Sequence, residues 1–394
     1  MRIGIDASCW SNRRGFGRFT RELLTAIAAL DTGDEFVLFV DRQTADRARL
    51  PDGWRVVTAD TSAAPTQAAA ADGRRSVGDL WRMRRIAAAT PVDVIFFPAV
   101  YSYFPVGGDT PCVVTLHDVI AETLPHLVFQ TRRSRLLWNI KCRLAVHRAD
   151  RVMTVSQASK RGIMQYYGLA PDQVSVVTES ASDAFFPVAD DDPAHHAALG
   201  RYGLSPRARF LLYVGGISPH KNLDTLIGAF ARLDMPVDAD PLLLVLVGDY
   251  AGDVFRTCHG DLVARAERYG VADRVRFAGY VPDDDLRHLY AAAQAFVFPS
   301  YLEGFGLPAV EAMRCGAPVI VSDRGSLPEV VGEAGVLFDP HDAASLSDKV
   351  RQVVTDENYQ KSLRAKSLDR GRDFSWAESA RQTMELMRDV GGGR

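Results

Sequence analysis

PSYLEGFGLPAVEAMRCGAPVIVSD, residues 299–323, sets glycines, two carboxylates and a helix start between two apolar runs. AFVFP before it and APVIVS within it are short, β-branched and aromatic, as buried parallel strands are. One helix fits between them. Pro308 suits the first helical position, where a missing N–H costs nothing, so a helix is expected from Pro308 through Glu311 toward Gly316. Gly304 and Gly306 let the backbone approach a bound group, and the free amides of the helix start favour an anion such as a phosphate. Glu303 in the loop and Glu311 in the first turn are then expected beside that anion. Carboxylates repel phosphate but accept hydrogen bonds from hydroxyls. A ligand with sugar hydroxyls on both sides of a phosphate therefore satisfies acids and amides together. Taken singly, each acid also has a plain reading: Glu311 stabilises the helix N-terminus and Glu303 is a solvated loop charge.

Outward from this stretch, FLLYVGG, PLLLVLVGD, RVRFAGYV and GVLFDP read as further strands, with helical patterns such as LDTLIGAFARL and DDLRHLYAAA between them. YVGGISPHKNLDTLIGAF places Lys221 and Asn222 at a helix start, where an ammonium and free amides converge as a diphosphate requires. The Pro-, Asp- and Ala-rich stretch from Phe185 to Arg209 reads as a linker. Before it lies a second alternating set: RIGIDA, EFVLFV, WRVVTA, VDVIFFP, CVVTLHD, DRVMTVS and VSVV. Two domains are expected, 1–190 and 205–374, each an open, doubly wound α/β sheet.

In the first set, Gly15 and Gly17 form a glycine loop after a first strand, at a spacing that is not the dinucleotide fingerprint. His117-Asp118 closes a strand, where open α/β sheets bind ligands; a structural histidine fits there equally well. Thr61 to Gly73 is Ala-rich without an apolar face and reads as a loop. Leu80 to Ala89 and Thr131 to Leu144 are basic and amphipathic, either solvated helix faces or a surface for an anionic membrane or acceptor. In the second of these, Arg132, Arg133 and Arg135 are followed by Leu136, Leu137 and Trp138.

A chain of 394 residues exceeds one typical core, and a formal net charge of −3 without long basic runs argues against nucleic acid as partner. The five cysteines form no Cys-x-x-Cys pair, so neither a disulfide framework nor a zinc knuckle is indicated. The acidic clusters Asp190-Asp191-Asp192, Asp238-Ala-Asp240 and Asp283-Asp284-Asp285 read as caps and solvated charge, and no metal is expected. Met1 is followed at once by a strand and no apolar run approaches the ~18 residues of a membrane span, so a cytoplasmic protein is expected, with at most peripheral membrane contact.

The 299–323 stretch resembles the Glu-any-seven-Glu signature of the retaining GT-B glycosyltransferases of family 4, with its Pro-Ser, Gly-Phe-Gly-Leu-Pro and Glu-Ala-Met surroundings. The resemblance implies two Rossmann-like domains facing a cleft, with a helix at 375–390 packing back on the first. It implies no cofactor beyond a nucleotide diphosphate sugar donor, GDP-mannose-like or a UDP-hexose, and a glycan, lipid-linked or small-molecule acceptor. From their places flanking the anion-binding helix start, Glu311 is expected to meet the donor ribose and Glu303 the transferred sugar. By the resemblance, Gly304, Phe305, Gly306 and Leu307 bind the donor. Val281 contacts the nucleobase through its backbone, His117 lies beside the sugar, and the Gly15–Gly17 loop lines the cleft. Lys221 matches the family's diphosphate lysine, whereas Gly216 stands where the family commonly has Arg. His220, a neighbouring backbone amide, Arg14 and Arg18 are the candidates to replace it. A nucleotide-sugar 2-epimerase and an inactive nucleotide-sugar-binding protein are the rival readings.

Overall fold

The computed structural model describes residues 1–12, 14–61, 76–189, 191–233, 241–250 and 257–392. The Ala-rich stretch from Thr61 to Gly73 lies outside them beyond Thr61, as do Asp190, Asp238 and Asp240. The described chain divides into two compact units, Met1–Glu179 with Trp376–Arg394, and Ser180–Ser375.

In the first unit each run read as a strand becomes one: β1 (Arg2–Asp6), β2 (Glu35–Asp41), β3 (Arg55–Ala59), β4 (Val94–Phe97), β5 (Cys112–Thr115), β6 (Arg151–Thr154) and β7 (Val174–Val176). Among the described residues they form one sheet in the order β3-β2-β1-β4-β5-β6-β7, with every pairing parallel. Central strands are buried on both faces, which is why they read as continuous rather than alternating apolar runs. Trp376–Gly392 closes this unit, with the Trp376 ring against Phe19 and Ser379 Oγ donating to Thr178 O at 2.6 Å.

The second unit repeats the plan with β8 (Phe210–Val214), β9 (Leu243–Val247), β10 (Val275–Gly279), β11 (Ala295–Phe298), β12 (Val319–Ser322) and β13 (Gly335–Phe338). Its order among the described residues is β10-β9-β8-β11-β12-β13, again parallel throughout. Strand order reverses between β1 and β4 in one unit and between β8 and β11 in the other. Ligands of such sheets bind outside the carboxyl ends of the strands at these switch points.

Part of the stretch read as a linker is helical: Pro193–Arg201 starts under an Asp192 cap and buries His195, Ala198 and Leu199. Asp285, in the first turn of helix Asp283–Ala292, receives the hydroxyl of Tyr202 and pairs with Arg201. The helix Arg132–Arg148 forms as expected, but Trp138 turns inward. It is 5 % exposed, and its indole N–H donates to Glu122 Oε1 at 2.8 Å. No helix among the described residues is long and apolar enough to cross a membrane.

Candidate functional site

The two loops leaving the β8/β11 switch point are tied to each other. After β8 the chain passes Gly215, whose φ of +153° is one a side chain rarely adopts; a Cβ there would also lie 2.6 Å from the Tyr213 hydroxyl. That hydroxyl, on a fully buried ring, donates to Gly216 O at 2.8 Å and fixes the turn. Pro219–Lys221 adds one tight turn, and Asn222 then takes the left-handed conformation, φ +57°, which Asn tolerates better than most residues. From that position its amide donates to Pro299 O at 3.0 Å and Pro340 O at 2.7 Å, and its carbonyl accepts from Thr225 Oγ1 at 2.8 Å. Tyr301 N donates in turn to His220 O at 3.0 Å.

These ties bring Lys221, from the β8 loop, onto Glu303, from the β11 loop. The ammonium sits 2.7 Å from Glu303 Oε1 and 3.0 Å from Oε2, with the two side chains 17 % and 9 % exposed. The Glu303 backbone is held separately. Ser326 Oγ donates to Glu303 O and Phe305 O, and Gly325, φ +62°, packs so closely that a Cβ would meet Glu303 O at 2.8 Å.

The helix begins at Leu307, one residue earlier than expected, so Pro308 takes its second position. Gly306 precedes it with φ +100°, and a Cβ there would meet Leu327 Cδ2 at 2.6 Å. Phe305 is buried edge-on against Phe374. The earlier start moves Glu311 from the first turn to the second. It is 2 % exposed and accepts a hydrogen bond from the Tyr290 hydroxyl at 3.1 Å, so it is no solvated helix-end charge. Val281 is buried two residues beyond Gly279, which turns the chain at the end of β10 with φ +67°.

At Gly216, where the resemblance leads one to expect an arginine, an added Cβ would meet nothing closer than Ser218 Oγ at 3.8 Å. His220 does not supply the missing cation: burial, reinforced by Lys221, lowers its pKa to about 3 and leaves it neutral.

In the first unit, His117 lies two residues past the end of β5. Phe19 meets its ring edge-on at 4.8 Å, Glu179 Oε1 approaches Nε2 to 4.0 Å, and both ring nitrogens are buried without a hydrogen-bond partner among the described residues. Burial lowers its pKa to about 4, so the imidazole is neutral and can either donate or accept. Gly15 and Gly17 are not a loop but the first turn of the helix Gly15–Ala28, which also carries Phe19. Gly17 has a packing role, because a Cβ would fall 2.1 Å from Asn12 O; at Gly15 the space is open.

Tyr290, Gly325 and Ser326 thus shape the site without having been singled out in the sequence, whereas Asn222, expected at the helix start, stands there and also ties the two loops together. A Ser three residues beyond the end of the 299–323 stretch is no signal by itself, whereas Asn before a helix start is a weak one.

Sequence profiles match both halves: Glycosyltransferase Family 4 over residues 13–179 and Glycosyl transferases group 1 over residues 200–370. The chain is 34 % identical over 274 residues to the O-antigen chain mannosyltransferase B of Escherichia coli, covering 69 % of this chain and 68 % of that one. Other mannosyltransferases of that organism, 32 % identical over 239 residues, are longer, and the chain spans 28 % of their length. Its fold is that of sucrose-phosphate synthase from Thermosynechococcus elongatus (TM-score 0.77, 21 % identity, 100 % of both chains) and of Anabaena HepE in complex with UDP and glucose (TM-score 0.72, 19 % identity, 99 % and 100 %). The chain belongs to the group 1, family 4 glycosyltransferases of GT-B fold and is an enzyme of the glycosyl-transferring class.

Proposed function

We propose that the enzyme transfers a hexose, mannose before others, from a nucleotide diphosphate sugar to a hydroxyl of a glycan, lipid-linked or small-molecule acceptor, with retention of the anomeric configuration. The observation that carries this reading is the Lys221–Glu303 pair at the β8/β11 switch point, one residue from the Gly304–Leu307 segment and its helix start. The mannosyltransferase relative and the UDP and glucose held by HepE support the donor class.

In the free enzyme the ammonium and carboxylate satisfy each other. A donor replaces both halves of that pair: its diphosphate takes the ammonium and its sugar hydroxyls donate to Glu303. Lys221 and the first helix amides then stabilise the charge that develops on the leaving diphosphate, which is positioning and electrostatics rather than covalent chemistry. Glu311, held by Tyr290, accepts from the ribose hydroxyls. His117, neutral and without a hydrogen-bond partner among the described residues, serves the transferred sugar as donor or acceptor. No divalent ion takes part in this scheme.

A panel of nucleotide sugars scored by protection against thermal unfolding identifies the donor, because a ligand that binds the folded state stabilises it by mass action. Turnover with that donor in EDTA, with the product anomer read by NMR, tests the reaction. An inverted product or a requirement for Mg²⁺ would overturn the scheme; tight donor binding with neither hydrolysis nor transfer would make the chain a binding protein.

A further inference from the structure

Two helices, Val77–Ala88 and Arg132–Arg148, cover one face of the first unit's sheet. Met83 and Ala87 of one and Trp138, Cys142 and Ala145 of the other join a single core cluster. The helices flank the turn between β4 and β5: Arg148 donates to Gly108 O and Thr110 O, and the Arg84 guanidinium lies 3.1 Å from where a Cβ on Gly107 would be.

Their outer faces carry an uncommon mixture. On the longer helix Leu136, Leu137, Ile140 and Leu144 are 59, 56, 47 and 54 % exposed, and their three- and four-residue spacing makes them one stripe. Arg132, Arg133, Arg135 and Arg143 frame the stripe, all exposed and none in an ion pair with a described residue. That helix holds no Asp or Glu at all. The shorter helix adds Trp81, 61 % exposed, and Val77, 70 % exposed, beside exposed Arg85 and beside Arg82, which pairs with Asp79. Four contiguous aliphatic side chains in water are costly to leave bare, and scattered exposed leucines would not share a face with unpaired arginines.

An occupant must accept the leucines and isoleucine into an apolar medium and present anions around them. A second copy of this chain would bring arginines against arginines. Nucleic acid would satisfy the arginines and leave the aliphatic stripe in water. An anionic bilayer surface matches both, with acyl chains under the stripe and headgroup phosphates at its rim.

We propose that this face docks the enzyme peripherally on an anionic membrane and that the acceptor is presented there; the second half rests on the transfer reaction proposed above. The test is co-sedimentation of the full chain with phosphatidylglycerol-containing and pure phosphatidylcholine vesicles, at low and high salt. Binding is expected to the anionic vesicles and to fall at least tenfold in high salt. R132S/R133S/R135S/R143S and L136S/I140S/L144S should each lose at least tenfold in vesicle affinity while keeping the wild-type unfolding temperature and nucleotide-diphosphate binding, since every changed side chain is exposed.

No binding to anionic vesicles at low salt, equal binding to neutral ones, or variants that bind like the wild type would overturn the proposal. So would a dimer that the leucine variant dissolves, or duplex DNA binding without vesicle binding. Donor hydrolysis, measured in the same preparations, separates the two readings. Vesicle binding with neither hydrolysis nor transfer sinks the transferase scheme and leaves the docking face standing. Hydrolysis without vesicle binding does the reverse.

Discussion

Lys221 and Glu303 neutralise each other across 82 residues of sequence, the ammonium reaching both carboxylate oxygens at 2.7 and 3.0 Å. Losing either partner strands a mostly buried charge, whereas losing both strands none. Lys221→Ala is expected to destabilise the ligand-free protein by about 3 kcal/mol, the low end for a broken buried pair, and Lys221→Ala/Glu303→Ala by clearly less than the two single losses combined. Urea unfolding of the four proteins measures this. Strictly additive losses would mean that the pair contributes no coupling.

The two acids should differ in what they hold. Glu311→Ala is expected to weaken both the free nucleotide diphosphate and the nucleotide sugar by roughly 1.5–3 kcal/mol, the range for a charge-assisted hydrogen bond. Glu303→Ala should weaken the sugar nucleotide and spare the free nucleotide. Tyr290→Phe, which removes the hydroxyl 3.1 Å from Glu311 Oε2, should reproduce the Glu311 pattern at about 0.5–1.5 kcal/mol. Calorimetric titration with both ligands distinguishes the cases, and identical profiles for the Glu303 and Glu311 variants would refute the assignment.

Gly216 offers a gain-of-function test. Its backbone admits a side chain with nothing closer than 3.8 Å to the new Cβ, so Gly216→Arg is expected to tighten nucleotide-diphosphate binding by about 1.5–3 kcal/mol, the worth of a charged hydrogen bond. The neighbour is the control. Gly215→Ala meets both a positive φ and the Tyr213 hydroxyl, and should lower stability by about 1–3 kcal/mol. A folded Gly216→Arg protein with unchanged affinity would mean that no diphosphate passes this turn.

His117 sets a pH dependence whose sign follows from burial. Its pKa falls from 6.5 unfolded to about 4 folded, so below pH 6.5 the unfolded chain takes up a proton that the native state refuses. Its favourable contribution is therefore complete above pH 6.5 and is lost as pH drops toward 4. In a series of melting temperatures from pH 7 to pH 4, His117→Gln should decline less steeply than the wild type. If the two curves run parallel, the imidazole is not held neutral. The same residue should leave activity level between pH 7 and pH 5.5.

The strands and the signature were legible because each is a local pattern: β-branched runs for doubly buried strands, and Gly, Pro and Glu at fixed spacing for the helix start. What escaped depends on partners far along the chain. Nothing near Ser326 announces that its hydroxyl holds Glu303 and Phe305, and Tyr290 reaches Glu311 from the preceding helix. Helix phase was the other blind spot. In Arg132–Arg148 apolar residues occur on two faces, Trp138, Cys142, Ala145 and Val146 on one and Leu136, Leu137, Ile140 and Leu144 on the other. Either stripe can pack, and the sheet takes the one whose indole finds a buried carboxylate, Glu122.

The first unit is interrupted. Ser180–Ser375 is translated between its sheet and the helix Trp376–Gly392 that completes it through Phe19, Thr178 and Asp34. At cellular elongation rates that intervening stretch takes about 10–40 s to emerge. Throughout this interval the nascent sheet lacks the cover for Met153, which the Thr383 hydroxyl later reaches at 3.9 Å. The chain of the second unit is therefore synthesised in full before that of the first, and the patch around Phe19 and Met153 stays uncovered until the closing helix is made.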